Sequence, residues 1–468
     1  MKTKELEQEI REWISNQSHQ GFDQFIMKKM GVQLISKEDT DTRWKAYKKF
    51  VQEIGEKPIA SVPTMKRWFG IGGNAIPSRE VVFSICFALH LGAQETEEFL
   101  VLGLREPSFQ INDYIETIYL YGLENGLSQD ECDEMAATYE KKLENAPTIC
   151  HTRTTQELMT QYQTKKNLSK QEFLCWMSDN AKYFKGYSKT VLDYILRYKK
   201  LVIGTAKEDA QLVLNTLLED TEFYAWKRRR MIRETNLKSI RRFIYSKKTI
   251  QEDLRKNILE LAQIVYSEQE LNSLFVRELF SFDYKTLQNN VKSQVVLQMT
   301  EKRLSDLLGT SIQRERQLRS VQGYRALEVL RDEDDCPDWL RNMFLELCET
   351  KMTDSFSVAQ AKEWLKEYQK KQKRRCLLVQ RGDILPMVCH MAQKDYLKKI
   401  AYNMDLYDAK EAYQCFEEVA NATLSACNMA LLDNKYELDS LFSLCFQKSD
   451  MYTIYDVLDE LRKQQSMA

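Results

Sequence analysis

Proline is absent from a long central stretch of this sequence. No proline occurs between Thr148 and Cys336, and only four glycines interrupt that span. The whole chain of 468 residues holds 7 prolines and 15 glycines, while charged residues make up 29%. Tight turns and strand ends draw on proline and glycine, whereas helix interiors exclude both. The composition therefore predicts an all-α fold.

The length of the chain predicts a multi-domain helical protein. An apolar fraction of 43% over 468 residues is ample for more than one hydrophobic core. The clearest breaks are the segment from Asn145 to Thr148 and the pair Cys336-Pro337. They predict an N-terminal helical domain over residues 1–145, a central all-helical region over 146–335 and a C-terminal helical region over 336–468.

Motifs for metal, nucleotide or covalent chemistry are missing from the sequence. The 11 cysteines include no Cys-x-x-Cys pair and the 4 histidines no His-x-x-x-His pair, so no metal site is expected. A P-loop, a nucleophile elbow and a kinase signature are also missing. We therefore expect no cofactor and no enzymatic activity. The alternative is an enzyme whose site is assembled from residues distant in sequence.

Compartment and charge limit the partners. The sequence shows no N-terminal signal peptide and no apolar run long enough for a membrane span. Cysteines at apolar helix positions, such as Cys86 and Cys389, suit a reducing compartment. We expect a cytoplasmic protein with no membrane partner. Because the net charge is −1, attraction to nucleic acid has to come from local basic patches.

A short helix is predicted from Val62 to Phe69. The hydroxyl groups of Ser61 and Thr64 can cap its first turn. Its apolar residues fall on one side, whereas Lys66 and Arg67 project together from the other. The sequence thus predicts a helix with one buried face and one basic, exposed face.

The segments on either side predict a helical domain around this helix. A support helix is predicted from Thr42 to Ile54, with its apolar residues on one face. A glycine-rich turn, Gly70 to Gly73, follows the short helix. The segment from Pro77 to Glu80 then opens another helix, and a further helix starts near Gln94.

The segments SVPTMKRWFG, PSRE and ETEEFL resemble the lambda-repressor-like (XRE) helix-turn-helix family, in particular its clostridial members. Residues 40–140 at most carry the resemblance. It implies an N-terminal helix-turn-helix domain in which the helix from Val62 to Phe69 is the recognition helix. The DNA contacts that the resemblance implies are Ser61, Thr64, Lys66 and Arg67. Arg79, at the start of the next helix, is a further candidate DNA contact. The alternative is that the polar face of the short helix is only solvated, or binds a protein.

The strongest charge feature is a basic cluster between Lys227 and Lys248. It holds ten cationic residues, with Glu234 the only acid among them. This density predicts a helix with a positive stripe against phosphates. The expected stripe is Arg230, Arg233, Arg241 and Lys248, and the candidate DNA contacts are Arg229, Arg230 and Arg233. The alternative is a solvated face paired with the preceding acids Glu208, Asp209, Glu219 and Asp220.

Two weaker patterns lie further along the chain. The segment from Glu301 to Ser320 has the order helix, glycine, capped basic helix, which is typical of a second helix-turn-helix but also of simple helical hairpins. The segment from Ala420 to Phe446 echoes Phe99 to Tyr121, since each has an asparagine-bearing turn before an apolar helix. One such pair does not establish a solenoid.

These features predict a DNA-binding transcriptional regulator with a helical sensing or oligomerisation region. The expected partner is double-stranded DNA, with a homodimer because two-fold operators use two reading modules. A protein partner would bind through the C-terminal helices. The alternative is a helical protein-interaction scaffold, or a defence-system component, that keeps the helix-turn-helix shape without reading bases.

Overall fold

The computed structural model describes most of the chain. It covers residues 2–15, 19–32, 39–55, 59–142, 155–184, 188–247, 249–266, 282–283, 298–299, 327, 330–338, 341–342, 356–371 and 379–467. Within these ranges nearly every element is a helix, which confirms the predicted all-α fold. Their one sheet pairs two antiparallel strands, β1 (Phe282–Asp283) and β2 (Gln298–Met299), with Phe282 opposite Met299. No helix in the described ranges is long and apolar enough to cross a membrane.

The first part of the chain contains mostly short helices. They are α1 (Lys2–Ser15), α2 (Phe22–Lys29), α3 (Thr40–Ile54), α4 (Val62–Trp68), α5 (Arg79–Ala88), α6 (Ala93–Glu98), α7 (Tyr114–Glu124) and α8 (Gln129–Lys142). A π-helical turn, Phe99–Gly103, extends α6. Side chains cap several starts, because Asp39, Ser61 and Asp113 each accept a hydrogen bond from an amide of the first turn.

The middle and the end of the chain contain the longer helices. The middle helices are α9 (Thr155–Lys165), α10 (Lys170–Asp179), α11 (Lys189–Asp220), α12 (Phe223–Arg229), α13 (Leu237–Ser246) and α14 (Glu252–Tyr266). The last helices are α15 (Val358–Lys371), α16 (Arg381–Lys399), α17 (Ala409–Ala426), α18 (Glu437–Ser443) and α19 (Ile454–Met467). Short 3-10 turns lie at Ala181–Tyr183 and Met404–Leu406.

The buried apolar residues of the described ranges form four clusters. The N-terminal core extends from Phe22 to Phe184. The C-terminal core combines α1 and the first half of α11 with residues 379–461. A third core, from Leu214 to Ala262, joins the second half of α11 to α12, α13 and α14. A small cluster joins Leu327 and Cys336 to α15.

These cores do not follow the predicted boundaries at residues 145 and 335. The N-terminal core continues through α9 and α10, where the rings of Tyr121 and Phe173 stack with centroids 4.1 Å apart. The small cluster likewise packs Leu327 and Cys336 together across residue 335. Helix α1 belongs with the C-terminal helices, because the Trp13 Nε1 atom donates to the Ser440 hydroxyl (2.9 Å). The predicted limits are therefore wrong.

Two four-helix units of the chain share one pattern of contacts. The first contains α5 to α8 and the second contains α16 to α19. Arg79 is the first residue of α5, and Arg381 is the first residue of α16. Each guanidinium binds an acid in the third position of the third helix: Arg79 binds Glu116 (2.8 Å) and Arg381 binds Asp439 (2.8 Å).

The loop before each acid repeats as well. The Gln110 amide donates to Glu116 Oε2 (2.8 Å), and the Asp433 amide donates to Asp439 Oδ2 (2.9 Å). Each of these amides lies six residues before its acid. The second unit therefore repeats this ion pair and this amide hydrogen bond of the first, in the region where the sequence showed only an echo.

The two units meet along these loops. Arg105 of the first unit reaches Asp439 of the second (2.7 Å) and lies over the Tyr436 ring, 3.9 Å from its centroid. The Ser108 amide donates to the Asn428 carbonyl (2.8 Å). The Asp439 side chain is fully buried and so faces two arginines, one from its own unit and one from the other.

Candidate nucleic-acid interface

Helix α4 lies close to its predicted position. Ser61 Oγ accepts from the Thr64 amide (3.4 Å) and lies 2.8 Å from Thr64 Oγ1. Pro63 occupies the first turn, where its missing N–H group costs nothing. The helix ends at Trp68, one residue before the predicted end, and Met65 and Trp68 are its buried residues. The predicted buried face of this helix is confirmed.

Helix α3 supports α4 as the sequence predicted. The Trp68 ring meets the Phe50 ring edge to face, with centroids 6.3 Å apart. The Arg43 guanidinium of α3 donates to the Phe69 carbonyl at the end of α4 (2.7 Å) and pairs with Asp23 (2.7 Å). Gly70 then turns the chain with φ +70°, and a Cβ atom there would overlap the Arg43 guanidinium. The turn therefore needs glycine.

The outer face of α4 presents the four residues named from the resemblance. Ser61 and Arg67 are exposed, whereas Thr64 and Lys66 are half-buried. The Lys66 ammonium lies 4.7 Å from the centroid of the Trp44 ring, so a cation–π contact orients it. This face is polar, partly basic and ordered by α3 beneath it.

Arg79 does not lie on that face. Its side chain is 6% exposed and pairs with Glu116 (2.8 Å) and Glu106 (3.4 Å). It also donates to the carbonyls of Pro107 (2.7 Å) and Ser108 (2.9 Å). A guanidinium with these partners cannot turn to a phosphate without leaving buried acceptors unpaired. The assignment of Arg79 as a DNA contact is therefore wrong.

Charge pairing keeps the Arg79 guanidinium protonated. Burial lowers the pKa of the Arg79 guanidinium, but Glu116 and its hydrogen bonds outweigh this effect, and the pKa lies above its ordinary value. Burial raises the pKa of the Glu106 carboxyl, although Arg79 opposes that shift. The cluster is thus a structural ion pair network at the start of α5.

The basic cluster forms a helical hairpin rather than one helix. We call residues 223–247, with α12, α13 and the link between them, the basic hairpin. Met231 has a left-handed backbone (φ 53°), which ends α12. Asn236 starts α13, since its side chain accepts from the Ser239 amide (2.9 Å). Arg230 and Arg233 thus lie in the link, and the predicted continuous stripe is wrong.

Aromatic side chains anchor the basic hairpin on its neighbours. The Phe243 ring of α13 meets the rings of Phe223 (5.2 Å) and Trp226 (5.3 Å) of α12. These rings pack with Leu218 of α11 and Ile258 of α14. Because the apolar side of the hairpin is closed in this way, its basic side is held outward on a fixed scaffold.

The basic side of the hairpin carries exposed cations that form no salt bridge within the described ranges. The exposed cations are Arg228, Arg229, Arg230, Arg233, Lys238, Arg241 and Arg242. None of them forms a salt bridge with an acid in the part of the chain that the structure describes. Lys247 pairs with Glu222 (2.9 Å) and, with a smaller contribution from Arg229, lowers the pKa of that carboxyl. Lys248 lies outside the described residues.

The acids proposed as an alternative source of pairing bind elsewhere. Asp209 pairs with Lys394 (2.5 Å) and Glu208 with Lys398 (3.7 Å), both on α16. Glu219 and Asp220 are exposed, and among the described residues they form no ion pair with the basic hairpin. The alternative that these four acids pair with the basic cluster is therefore wrong for Glu208 and Asp209. For Glu219 and Asp220, the described residues show no such pairing.

Sequence reasoning missed the cluster of Arg105, Arg381 and Asp439. Burial lowers the pKa of Arg381 to about 10, while the attraction of Asp439 acts in the opposite direction. The sequence offered little indication of this cluster. Its one clue was that Arg381, like Arg79, is the first residue of a helix. The contacts of the cluster are internal, so we assign it to the fold rather than to the interface.

Two further predictions concern metal sites and the second helix-turn-helix candidate. No group of three or more His, Cys, Asp or Glu side chains suited to a metal ion is found in the described part of the chain. The candidate from Glu301 to Ser320 lies outside the described residues.

Comparisons with protein-family models, with curated proteins and with solved structures gave no match.

Proposed function

We propose that this protein is a DNA-binding transcriptional regulator. In this proposal the basic hairpin binds the phosphates of double-stranded DNA, and the α4 face makes a second contact. The observation that carries the proposal is the set of exposed cations on the hairpin that form no salt bridge with any described residue. Protein surfaces usually mix charges of both signs, so a one-sided surface on a rigid support fits a polyanionic partner.

Helix α13 has the arrangement that such a contact requires. Its buried residues Ile240, Phe243 and Ile244 face the core. The opposite face is exposed and consists of Lys238, Arg241, Arg242 and Tyr245. Cations one turn apart on a ten-residue helix can reach successive phosphates or enter a groove.

The α4 face would add the sequence-dependent part of binding. It combines the hydroxyl groups of Ser61 and Thr64 with the cations Lys66 and Arg67. Such groups hydrogen-bond both to base edges and to phosphates. The resemblance to the XRE family supports this role, as does the bracing of α4 by α3.

The C-terminal helices would supply regulation. A reader of two-fold operators acts as a homodimer, and a regulator needs a region that responds to a partner. The contact between Arg105 and Asp439 ties the first four-helix unit to the second. A partner that binds the C-terminal helices would therefore shift the first four-helix unit, which directly follows α4 in the chain.

Charge reversal in the basic hairpin should flatten the salt dependence of DNA binding. In the variant Arg229→Glu, Arg230→Glu, Arg233→Glu, the slope of log affinity against log salt should fall by about one unit for each phosphate that is no longer neutralised. Fluorescence anisotropy with a mixed-sequence duplex over a salt series measures the slope. The matched control reverses three exposed lysines of the C-terminal unit, Lys410, Lys435 and Lys448, and should keep the wild-type slope.

An unchanged slope in the hairpin variant would remove the phosphate contact from the proposal. Wild-type protein that shows no salt-dependent binding at all would contradict DNA binding as a whole. That second result would favour the alternative function, a helical interaction scaffold or defence-system component.

Replacing Lys66 and Arg67 by alanine should weaken DNA binding without unfolding the domain. Both side chains lie outside the N-terminal core, and the cation–π contact of Lys66 contributes only about 0.5–1 kcal/mol. We expect the affinity for duplex DNA to fall about tenfold while the melting temperature shifts by a few degrees at most. A large fall in melting temperature would instead show that the two residues are structural.

A further inference from the structure

Met231 is the most exposed of the large apolar side chains in the described residues. Its exposed fraction is 91%, against 73% for the next, Tyr245. It lies at the tip of the basic hairpin, in the link between α12 and α13. The side chain therefore buries almost no apolar surface against the described residues and is accessible to a partner.

The backbone at this tip is ordered and strained. The Met231 amide donates to the Arg228 carbonyl (3.1 Å), and the Ile232 amide donates to the Lys227 carbonyl (3.1 Å). This is the hydrogen-bond pattern of a Schellman motif, whose left-handed position is usually glycine. Met231 occupies that position with φ 53°, which is unfavourable for a residue with a Cβ atom. Local rules would therefore place glycine here.

Cations lie close to the exposed methionine in the sequence. Arg229, Arg230 and Arg233 flank it in sequence, and all three are exposed. The Arg230 guanidinium lies 5.0 Å from the centroid of the Trp226 ring, so a core side chain holds it in place. An apolar tip between arginines has the composition of side chains that enter the minor groove of DNA and wedge between base pairs.

We propose that Met231 inserts between two base pairs of double-stranded DNA while the flanking arginines bind the adjacent phosphates. This inference rests on the proposed function, and it adds the mode of binding. Stacking on single-stranded bases is the lesser fit, because that mode uses several exposed rings. Within residues 223–247, which are all described, Trp226 and Phe243 are buried and only the Tyr245 ring on α13 is exposed.

The variant Met231→Gly separates this role from a structural one. Glycine suits the left-handed backbone, so the variant should melt at the wild-type temperature or above it. Its affinity for a mixed-sequence duplex should fall about tenfold, because glycine has no side chain to insert between the base pairs. The slope of log affinity against log salt should stay the same, since the cations that bind phosphates are all retained.

Bending of the duplex provides a second measurement. A wedge kinks DNA by about 20–90°, so energy transfer between dyes at the two ends of a short duplex should rise with wild-type protein and with Met231→Leu, but not with Met231→Gly. The control Leu406→Ala removes another exposed apolar side chain, 61% exposed and in the C-terminal unit. It should bind and bend DNA like the wild type.

Binding and bending by Met231→Gly equal to those of the wild type would overturn the wedge alone. In that case the salt slope of the wild type would still support the basic hairpin as a DNA contact. Tighter binding to a single strand than to the duplex would also overturn the wedge. No salt-dependent binding of duplex by the wild type would overturn both the wedge and the proposed function.

Discussion

The substitution Asp439→Asn is expected to lower the free energy of unfolding by about 3–5 kcal/mol. The Asp439 carboxylate is fully buried and pairs with Arg381 (2.8 Å) and Arg105 (2.7 Å). It also accepts from the Asp433 amide (2.9 Å). Asparagine keeps the shape but removes the charge, which leaves two cations close together with no counter-ion. The cost should be large because Arg381 is itself only 3% exposed.

Chemical denaturation followed by circular dichroism measures this decrease in stability. The matched control is Glu418→Gln on α17, which removes the charge of an exposed acid whose partner is Gln414 (3.1 Å). The control should stay within about 0.5 kcal/mol of the wild type. If Asp439→Asn also changes stability by less than about 1 kcal/mol, then the carboxylate does not hold the two units together.

Helix α4 could be predicted from sequence because the signals for it are local. Ser61 caps its start through a hydrogen bond to Thr64, and Gly70 provides the left-handed turn after its end. The buried and exposed sides follow from helical spacing alone. The same reasoning identified the all-α fold, since that depends on composition over the whole chain.

The role of Arg79 could not be predicted in the same way. Its partner Glu116 lies 37 residues further along the chain, on another helix. A sequence shows a cation at a helix start but does not show which acid the fold brings to it. The PSRE segment therefore indicated the start of α5 correctly, while its arginine was assigned to the wrong partner.

The sequence predicted the positive charge of the basic hairpin but not its shape, because one continuous helix was expected and two helices are found. The signal for its second helix was present, because Asn236 stands three residues before Ser239 in a capping arrangement. The end of its first helix had no such signal, since the left-handed residue there is Met231 instead of glycine. Where local rules fail in this way, a functional reason is the first explanation to test.

The predicted domain limits were wrong because a proline interrupts a helix in the sequence without ending a hydrophobic core. Pro147 lies between α8 and α9, but the aromatic contact of Tyr121 with Phe173 continues the N-terminal core beyond it. Likewise, no local feature of α1 shows that Leu6 and Ile10 pack with the last helices of the chain. Core membership depends on contacts between distant residues, which one sequence does not reveal.

Arg79→Met is expected to destabilise the protein by about 3–5 kcal/mol near neutral pH. The substitution leaves Glu116 and Glu106 without their cation, and it leaves the carbonyls of Pro107 and Ser108 without a donor. DNA affinity measured at a temperature where the variant is folded should equal that of the wild type, because Arg79 is buried. The variant Arg79→Lys, which keeps the charge but not the forked geometry, should fall between the two.

The loss of unfolding free energy in Arg79→Met should become smaller as the pH falls. Burial already raises the pKa of Glu106 in the wild type, and removal of Arg79, which opposes that shift, raises it further. An acid whose folded-state pKa exceeds its unfolded-state pKa destabilises the fold when it is ionised. This loss of stability is complete above the folded-state pKa and disappears as the pH falls towards the unfolded-state pKa. The difference in unfolding free energy between variant and wild type should therefore be smaller at about pH 5 than at about pH 7.5. A variant with wild-type stability but impaired DNA binding would instead restore Arg79 as a DNA contact.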